Sequence, residues 1–546
     1  MADLILQNGT IYDGSGSPPY QGDVAISGDQ IAALGAPGTL DGTTKIDVSG
    51  LAVAPGFINM LSWSVESLIQ DGCSQSEIRQ GVTLEVMGEG TSMGPLSEEM
   101  RESRKRSILG NEDIEYEIEW TTLGEYLEYL ERRGVSTNVA SFVGSSTLRI
   151  HEIGYDDRPP TEGELTRMCE LVRQAMREGA VGMSAALIYP PASYASTEEL
   201  IALAKAVAEF DGMYISHLRS EGPFFVEAAD ELIRIAREAK LSAELYHLKA
   251  AGRVNWGKMA EVIQHVEAAR AEGLHITADM YMYPAGGTGL NACIPPWAHD
   301  GGDEAMLARL RDPETRARII NDIKTPTDSW ENMYLQVDSP DGILLAGFKS
   351  DTLKALTGKT LAAVAAERGR SPEDTLCDLL LEDGGRIFTM YFVMSEDNIR
   401  KQVQVPWVSF CSDAESMAPE DPFIKRHPHP RAYGNFARVL GLYVRDLKLI
   451  TLEEAVRRLS WLPASNLKLK RRGALRPTYF ADVVVFDPAT IQDHATFENP
   501  HQYATGMQHV FVNGQQVLKN GEHTGAKPGR VVRGPGWTGH NNGDQV

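Results

Sequence analysis

The stretch "MYISHLRSEGPFFVEAADELIRIAREAKLSAELYHLKAAG", residues 213–252, contains two short apolar runs separated by an amphipathic helical pattern. Each apolar run ends in polar residues, and the same alternation continues on both sides, in residues 180–212 and 256–284. Apolar runs that alternate with helices indicate a parallel α/β fold, either a barrel or a doubly wound sheet. The number and length of the helices favour an eight-stranded (β/α) barrel, whose functional residues follow the strands.

The two ends of the chain have a different pattern, because they consist of short strands and turns. Asn8-Gly9 lies between two apolar runs and predicts a β-hairpin, and Asn513-Gly514 lies between two alternating strands near the other end. We therefore predict one small β-sandwich built from both termini. The predicted domains are, in chain order, the N-terminal segment of the sandwich (1–56), the barrel (57–470) with a helical insertion (about 296–400), the C-terminal segment of the sandwich (471–525) and a tail (526–546).

The charge, the cysteine content and the apolar runs limit the kind of partner and the compartment that we expect for this protein. The formal charge of −23 leaves no basic stripe that would neutralise phosphates, so we expect no nucleic-acid partner. The five cysteines are widely spaced without a Cys-x-x-Cys pair, which is typical of a reducing compartment. The N-terminus does not resemble a signal peptide, and no apolar run approaches the roughly 20 residues of a membrane span. We predict a cytoplasmic protein without membrane contact, and the sequence is compatible with a homo-oligomer.

Three polar residues follow apolar runs of the predicted barrel. His217 and His247 each close a run, with one βα unit between them, and Asp413 closes the run "WVSFCSD". Imidazole and carboxylate groups that converge at one end of a barrel are typical of a metal-assisted site. The alternatives are loop histidines bonded to the backbone and an aspartate that caps a helix.

Several longer stretches resemble the amidohydrolase superfamily, and within it the D-aminoacylase (N-acyl-D-amino-acid deacylase) family. The opening "DLILQNGTIYDGSG" and "APGFI" resemble the superfamily. "YHLKAAGRVNWGK", "DMYMYPAGGTGL" and "HPHPRAYGNFARVLGLYV" are similar to the narrower family. The resemblance covers nearly the whole chain. It implies a distorted (β/α)8 TIM barrel with a β-sandwich from both termini, a small inserted domain and a bound zinc.

The resemblance also implies roles for individual residues. His217 and His247 match the two histidines of the family's tight metal site. Asp413 matches the catalytic aspartate, which activates the attacking water and then protonates the leaving amine. A further set matches residues that bind the carboxylate of the substrate, namely Lys249, Tyr281 and Arg431. Their chemistry agrees, because Arg offers a planar fork, Lys a point charge and Tyr a rigid donor; a structural ion pair is the alternative for Arg431.

The chain departs from the family pattern at both of its remaining metal positions. Where the family has Asp-x-His-x-His, the sequence reads "NMLSW", so that Leu61 and Trp63 replace both histidines. Where the family has Gly-Asn-Cys-Gly, it reads "VMGEGTSMGPL", and Glu89 is the strong ligand nearby. We predict the loss of the second metal and one zinc held by Glu89, His217 and His247, beside an apolar wall of Leu61 and Trp63. The alternative for Glu89 is a cap of its Gly-rich loop.

These observations favour a single-zinc amidohydrolase that cleaves a C–N amide bond in a small carboxylate-bearing substrate. An N-acyl-D-amino acid, a D-dipeptide and a cyclic amide all fit this description. A barrel that has lost its metal and acts as a binding protein is a second hypothesis, supported by the missing histidines and cysteine. A third is a lyase, deaminase or isomerase on the same scaffold.

Overall fold

The computed structural model describes residues 1–109, 116–327 and 329–539. Both ends of the chain contribute strands to one nine-stranded mixed sheet. The strands are β1 (Ala2–Ile11), β2 (Tyr20–Ser27), β3 (Gln30–Gly35), β4 (Gly42–Asp47), β5 (Ala52–Pro55), β17 (Val483–Phe486), β18 (Met507–Val512), β19 (Gln515–Lys519) and β20 (Glu522–His523). The two ends meet where β5 from the N-terminal segment pairs antiparallel with β17 from the C-terminal segment. The predicted β-structure from both termini is therefore confirmed.

The two Asn-Gly pairs behave differently, and the prediction for the first was wrong. Asn513-Gly514 forms the tight turn between β18 and β19, with positive φ at both residues. Asn8-Gly9 instead lies inside the continuous strand β1, where the register against β2 shifts. The backbone N–H of Asn8 donates to Asp23 Oδ1 at 2.8 Å, so a side chain from the neighbouring strand stabilises a bulge in place of a turn.

The middle of the chain forms the predicted barrel of parallel strands. The barrel strands are β6 (Phe57–Ser62), β7 (Val82–Met87), β8 (Asn138–Ser141), β9 (Val143–Gly144), β10 (Gly182–Ala186), β11 (Met213–His217), β12 (Ser242–Leu245) and β13 (Ile276–Ala278). β6, β7 and β8 make one parallel group and β9 to β13 a second, and β8 and β9 are separated by a single residue. Residues 408–414 complete the ring by bridging β13 at Ala278 and β6 at Ser62 in parallel.

Helices follow the barrel strands. The helices outside the insertion are α1 (Ser67–Gln70), α2 (Gln75–Ile78), α3 (Glu98–Leu109), α4 (Leu123–Arg133), α5 (Ser145–Ile153), α6 (Glu162–Arg177), α7 (Thr197–Ala208), α8 (Phe225–Ala239), α9 (Met259–Ala271), α15 (Glu396–Val403), α16 (Arg431–Arg438), α17 (Leu452–Val456) and α18 (Leu462–Asn466). Two of the longer helices begin with capping boxes. Thr122 and Glu125 form the capping box of α4, and Thr161 and Glu164 form that of α6.

The insertion lies between β13 and α15, and it contains a small antiparallel sheet besides its helices. The elements are β14 (Gly286–Gly289), β15 (Ile343–Gly347), β16 (Phe388–Tyr391), α10 (Asp303–Arg311), α11 (Pro313–Lys324), α12 (Met333–Gln336), α13 (Leu361–Arg368) and α14 (Pro372–Asp383). The sheet has the order β14-β16-β15.

The segment predicted as a tail lies along the barrel as far as the structure describes it. Val531 bridges Val139 in β8, and the backbone N–H of Gly534 donates to the carbonyl of Gly179. Residues 540–546 of the predicted tail lie outside the described residues. None of the helices in the described ranges has the length and hydropathy of a membrane span.

Candidate metal centre and active site

Glu89 lies in a tight turn directly after β7. The flanking residues Gly88 and Gly90 have φ of 106° and 62°, which L-residues with a side chain rarely adopt. A Cβ on Gly90 would lie 2.5 Å from the Cβ of Ala186 in β10, and one on Gly88 would lie 2.5 Å from the carbonyl oxygen of Phe142. The close packing of this turn between the neighbouring strands explains why glycine stands on both sides of Glu89.

The two histidines close neighbouring strands, as the sequence predicts. His217 is the last residue of β11, and His247 follows β12 with a φ of 32°. A non-glycine residue with positive φ is uncommon and is found at functional sites more often than elsewhere. The conformation of His247 is stabilised by Asp279, whose Oδ1 accepts a hydrogen bond from the backbone N–H of His247 at 2.6 Å.

Glu89, His217 and His247 converge into one group. Their candidate ligand atoms all lie within 4.8 Å of one another, and within the described parts of the chain no other group of three His, Cys, Asp or Glu side chains meets this criterion. His247 Nε2 lies 2.9 Å from Glu89 Oε1. The three residues are 3–5% exposed. Two imidazoles and one carboxylate are the ligand types that zinc prefers, so the residues present fit this metal.

Burial and neighbouring charges shift the two imidazoles in opposite directions. Burial lowers the pKa of His217 to about 3, so its ring is neutral, which is the form that binds a metal. Burial and Lys249 also act to lower the pKa of His247, but the carboxylates of Glu89 and Glu221 outweigh them and raise it to about 10. A proton between His247 and these carboxylates is therefore favoured in the protein without metal, and a cation would compete with it.

Glu221 is a site residue that the sequence analysis missed. Its Oε1 lies 3.2 Å from His247 Nδ1 and 3.6 Å from His217 Nδ1, so one carboxylate faces both candidate ligands. Lys249 Nζ donates to the same oxygen at 2.6 Å and lies 2.8 Å from His247 Nδ1. Carboxylates in this position orient metal-binding imidazoles. The signal in the sequence was an acid four residues after a candidate ligand, in "HLRSEG".

The insertion contributes to this side of the site through Glu331. Its Oε2 accepts a hydrogen bond from the backbone N–H of Glu221 at 2.7 Å, and its Oε1 accepts one from Gln336 at 2.7 Å. Burial, followed by the charge of Glu221, raises the pKa of Glu331. The insertion thus helps to fix the loop that carries Glu221.

Asp413 lies on the side of the site formed by β6 and residues 408–414, near the end of the segment that closes the barrel, with a φ of 48°. Its Oδ1 accepts a hydrogen bond from the indole Nε1–H of Trp63 at 3.0 Å, and Arg431 Nη1 lies 2.8 Å from its Oδ2. Both carboxylate oxygens are therefore engaged by side chains from two other elements. Leu61 is fully buried, and its carbonyl accepts the backbone N–H of Asp413 at 2.9 Å.

Tyr281 connects the two sides. Its ring centroid lies 6.5 Å from that of His247, and the Arg431 guanidinium carbon lies 4.4 Å from the Tyr281 centroid. Burial raises the pKa of the Tyr281 hydroxyl to about 12, so it remains a donor. Neither Tyr281 Oη nor Arg431 Nε has a hydrogen-bond partner among the described residues, although both atoms are buried. Buried donors without a partner are rare in proteins, so these two atoms are candidates for binding a ligand.

Two glycines of β14 lie close to these donors. A Cβ on Gly286 would lie 3.7 Å from Tyr281 Oη, and one on Gly287 would lie 3.4 Å from Arg431 Nη2 and 3.0 Å from Phe388 Cζ. The backbone of β14 therefore approaches the guanidinium and the phenol without a side chain between them. This arrangement suits a small anionic group that accepts hydrogen bonds from Arg431 and Tyr281.

Comparison with known proteins gives one consistent result. Residues 417–518 match the profile of the amidohydrolase family. The chain is 35% identical over 531 residues to a D-aminoacylase of Alcaligenes xylosoxydans xylosoxydans, which covers 97% of each protein.

Two solved structures are similar over the whole chain. One is the N-acyl-D-glutamate deacylase of Bordetella bronchiseptica, complexed with zinc and a phosphonate inhibitor that mimics the tetrahedral intermediate. It has a TM-score of 0.80 at 29% identity and covers 97% of this chain and 99% of that one. The other is a D-aminoacylase, studied for one-metal activation and second-metal attenuation of its binuclear centre. It has a TM-score of 0.80 at 32% identity and covers 98% of this chain and 100% of that one.

Proposed function

The chain belongs to the D-aminoacylase family of amidohydrolases, and we propose that it hydrolyses the amide bond of an N-acyl-D-amino acid with the help of a single zinc ion. Its relatives place it among the hydrolases that act on carbon–nitrogen bonds other than peptide bonds. The proposal extends this assignment to a substrate class, a metal count and a role for each residue of the site.

The metal is assigned to Glu89, His217 and His247. Support comes from their convergence, their burial and the carboxylate of Glu221 behind both imidazoles. A zinc ion held by these residues would polarise the substrate carbonyl and make water a stronger nucleophile near neutral pH. Leu61 and Trp63 stand where the family pattern has its other two histidines, which supports a count of one. The similar D-aminoacylase studied for one-metal activation makes such a count chemically reasonable for this chain.

The carboxylate of the substrate is assigned to Arg431 and Tyr281. Both have a buried donor that finds no partner in the described part of the chain, and the glycines of β14 approach these donors without a side chain in between. Lys249 was also predicted to bind this carboxylate, but its ammonium group contacts Glu221 and His247 Nδ1. We therefore assign Lys249 to the orientation of His247 and Glu221, and the substrate carboxylate to the other two residues.

Proton transfer is assigned to Asp413. A carboxylate oxygen of Asp413 takes a proton from the water that attacks the carbonyl carbon. The same oxygen then delivers this proton to the amine nitrogen as the C–N bond breaks, so the products are a carboxylic acid and a free amino acid. Trp63 and Arg431 hold the carboxylate during both transfers.

The proposal is supported above all by one observation. The buried side chains of Glu89, His217 and His247 lie at the same end of the barrel as the buried carboxylate of Asp413, which Trp63 and Arg431 contact. The test is a panel of N-acetyl-D- and N-acetyl-L-amino acids with neutral, aromatic and acidic side chains, together with D-dipeptides and cyclic amides, incubated with the zinc-loaded protein. Release of acetate from D-substrates, with the L-forms cleaved much more slowly, is expected. Absence of hydrolysis across the panel would contradict the proposal, and cleavage of D-dipeptides or cyclic amides alone would redirect it to those substrates.

A further inference from the structure

Trp63 occupies an unusual position for a large aromatic residue, because its polar edge faces the proposed proton carrier. Trp63 directly follows β6, and its backbone N–H donates to the carbonyl of Ala414 at 3.0 Å. The strand end is therefore fixed next to residues 413 and 414. From this anchor the indole Nε1–H reaches Asp413 Oδ1 at 3.0 Å, across 350 positions in the sequence.

We infer that Trp63 is a positioning residue, which orients the Asp413 carboxylate for proton transfer through its indole N–H. The inference rests on the proposed role of Asp413. The terminal torsion of an aspartate is broad, so one contact on one oxygen leaves the carboxylate free to rotate. Arg431 Nη1 forms an ion pair with Oδ2 at 2.8 Å that lacks hydrogen-bond geometry, whereas the Trp63 indole N–H donates a hydrogen bond to Oδ1. The two contacts together restrict rotation of the carboxylate, and the indole N–H supplies the directional one.

The same geometry explains how the site works without the histidines of the family pattern. A histidine at position 63 would offer a metal ligand, whereas tryptophan offers a donor and no ligand nitrogen. The indole N–H faces an oxygen that carries negative charge, and hydrogen bonds to charged groups are stronger than those between neutral groups. At position 63, the metal-binding histidine of the family pattern is therefore replaced by a tryptophan that donates a hydrogen bond to Asp413.

The test compares two replacements of Trp63 in the full-length, zinc-loaded protein. Trp63→Phe removes the indole N–H together with part of the ring, and 3-benzothienylalanine at position 63 removes the N–H and keeps the shape. Trp407→Phe is the matched control, because Trp407 is buried next to the same barrel segment and its Nε1 has no partner among the described residues. The readouts are kcat and KM on the N-acetyl-D-amino acid that the wild type cleaves fastest, and zinc per chain.

We expect kcat to fall about 10- to 100-fold in both Trp63 variants, since small errors in the placement of a catalytic group have effects of this size. KM and zinc content should remain near the wild-type values, and Trp407→Phe should retain most of the activity. The benzothienyl variant decides the result if Trp63→Phe does not fold.

The outcomes separate this inference from the proposed function. An active wild type with a benzothienyl variant within about twofold of its kcat would overturn the inference and leave the proposed function intact. Loss of zinc in that variant would also overturn it, because the side chain would then support the metal and not the carboxylate. A zinc-loaded wild type without activity on the panel would overturn both.

Discussion

The two sides of the site retain different elements of the family's chemistry. On the side of β7, β11 and β12, both histidines are present, a glutamate stands where a cysteine is usual, and Glu221 supports the imidazoles. On the side of β6 and residues 408–414, the histidines are replaced by Leu61 and Trp63, and Asp413 is held by an indole and a guanidinium. In the proposed assignment, metal binding and proton transfer depend on different residues, so a substitution on each side should change a different measured property.

Asp413→Asn should give the largest effect on activity. Asparagine has the shape of aspartate but cannot carry the proton, so we expect kcat/KM to fall about 10²- to 10⁴-fold. Zinc content should remain at the wild-type value, because the proposed metal ligands, Glu89, His217 and His247, lie on the other side. Steady-state kinetics and elemental analysis of the same preparation check both statements. Loss of zinc in this variant would make Asp413 a metal ligand and would contradict the separation of metal binding from proton transfer.

Glu221→Gln should affect the other side and reduce zinc affinity about 10- to 100-fold, the effect that is typical for carboxylates that orient metal-binding histidines. Glutamine can still accept a hydrogen bond, but it no longer offers negative charge to His247 and Lys249. A competition titration with a chromogenic chelator measures the affinity. At saturating zinc, kcat should recover most of its wild-type value. An unchanged zinc affinity would contradict the role assigned to Glu221.

Glu244→Gln should give the smallest effect, and we expect it in stability rather than in activity. Burial and the charge of Asp279 raise the pKa of Glu244 to about 8, so the folded protein holds a proton that the unfolded chain releases above its ordinary pKa of 4.5. This contribution is complete below pH 4.5, is lost as the pH rises from 4.5 through about 8, and does not change further above that pH. Glutamine cannot ionise, so the variant should lose less stability over this range.

The expected difference between variant and wild type is up to about 2–3 kcal/mol between pH 6 and pH 8, at roughly 1.4 kcal/mol for each unit of pH. Thermal unfolding at several pH values measures it as a gap in Tm that widens as the pH rises. A gap that does not change with pH would show that Glu244 is ionised in the folded protein.

Local patterns in the sequence were sufficient to predict the barrel and much of the site. The end of an apolar run located His217, His247 and Asp413, because each βα unit is a local feature with its own periodicity. The resemblance to a known family, and not the pattern, directed attention to Arg431 and Tyr281. The error at Asn8-Gly9 shows the limit of local signals, since the bulge depends on the carboxylate of Asp23 in another strand.

Contacts between distant residues were not predictable from the sequence. The indole of Trp63 and the carboxylate of Asp413 meet only because residues 408–414 close the barrel against β6. Glu221 follows a candidate ligand by four residues, but its function becomes visible only once His217 and His247 lie together around it. The surroundings of Arg431 depend on the close approach of β14, which belongs to the insertion.

The single-metal site built on Glu89 is tested most directly by elemental analysis of zinc per chain, on wild type and on Glu89→Ala. Glu238→Ala, which removes an exposed carboxylate from α8, is the control. We predict about one zinc per chain in the wild type and in the control, and loss or marked weakening of binding in Glu89→Ala. A wild type that retains no zinc after zinc is added, or a Glu89→Ala variant that binds it as tightly as the wild type, would contradict a single-metal site built on Glu89.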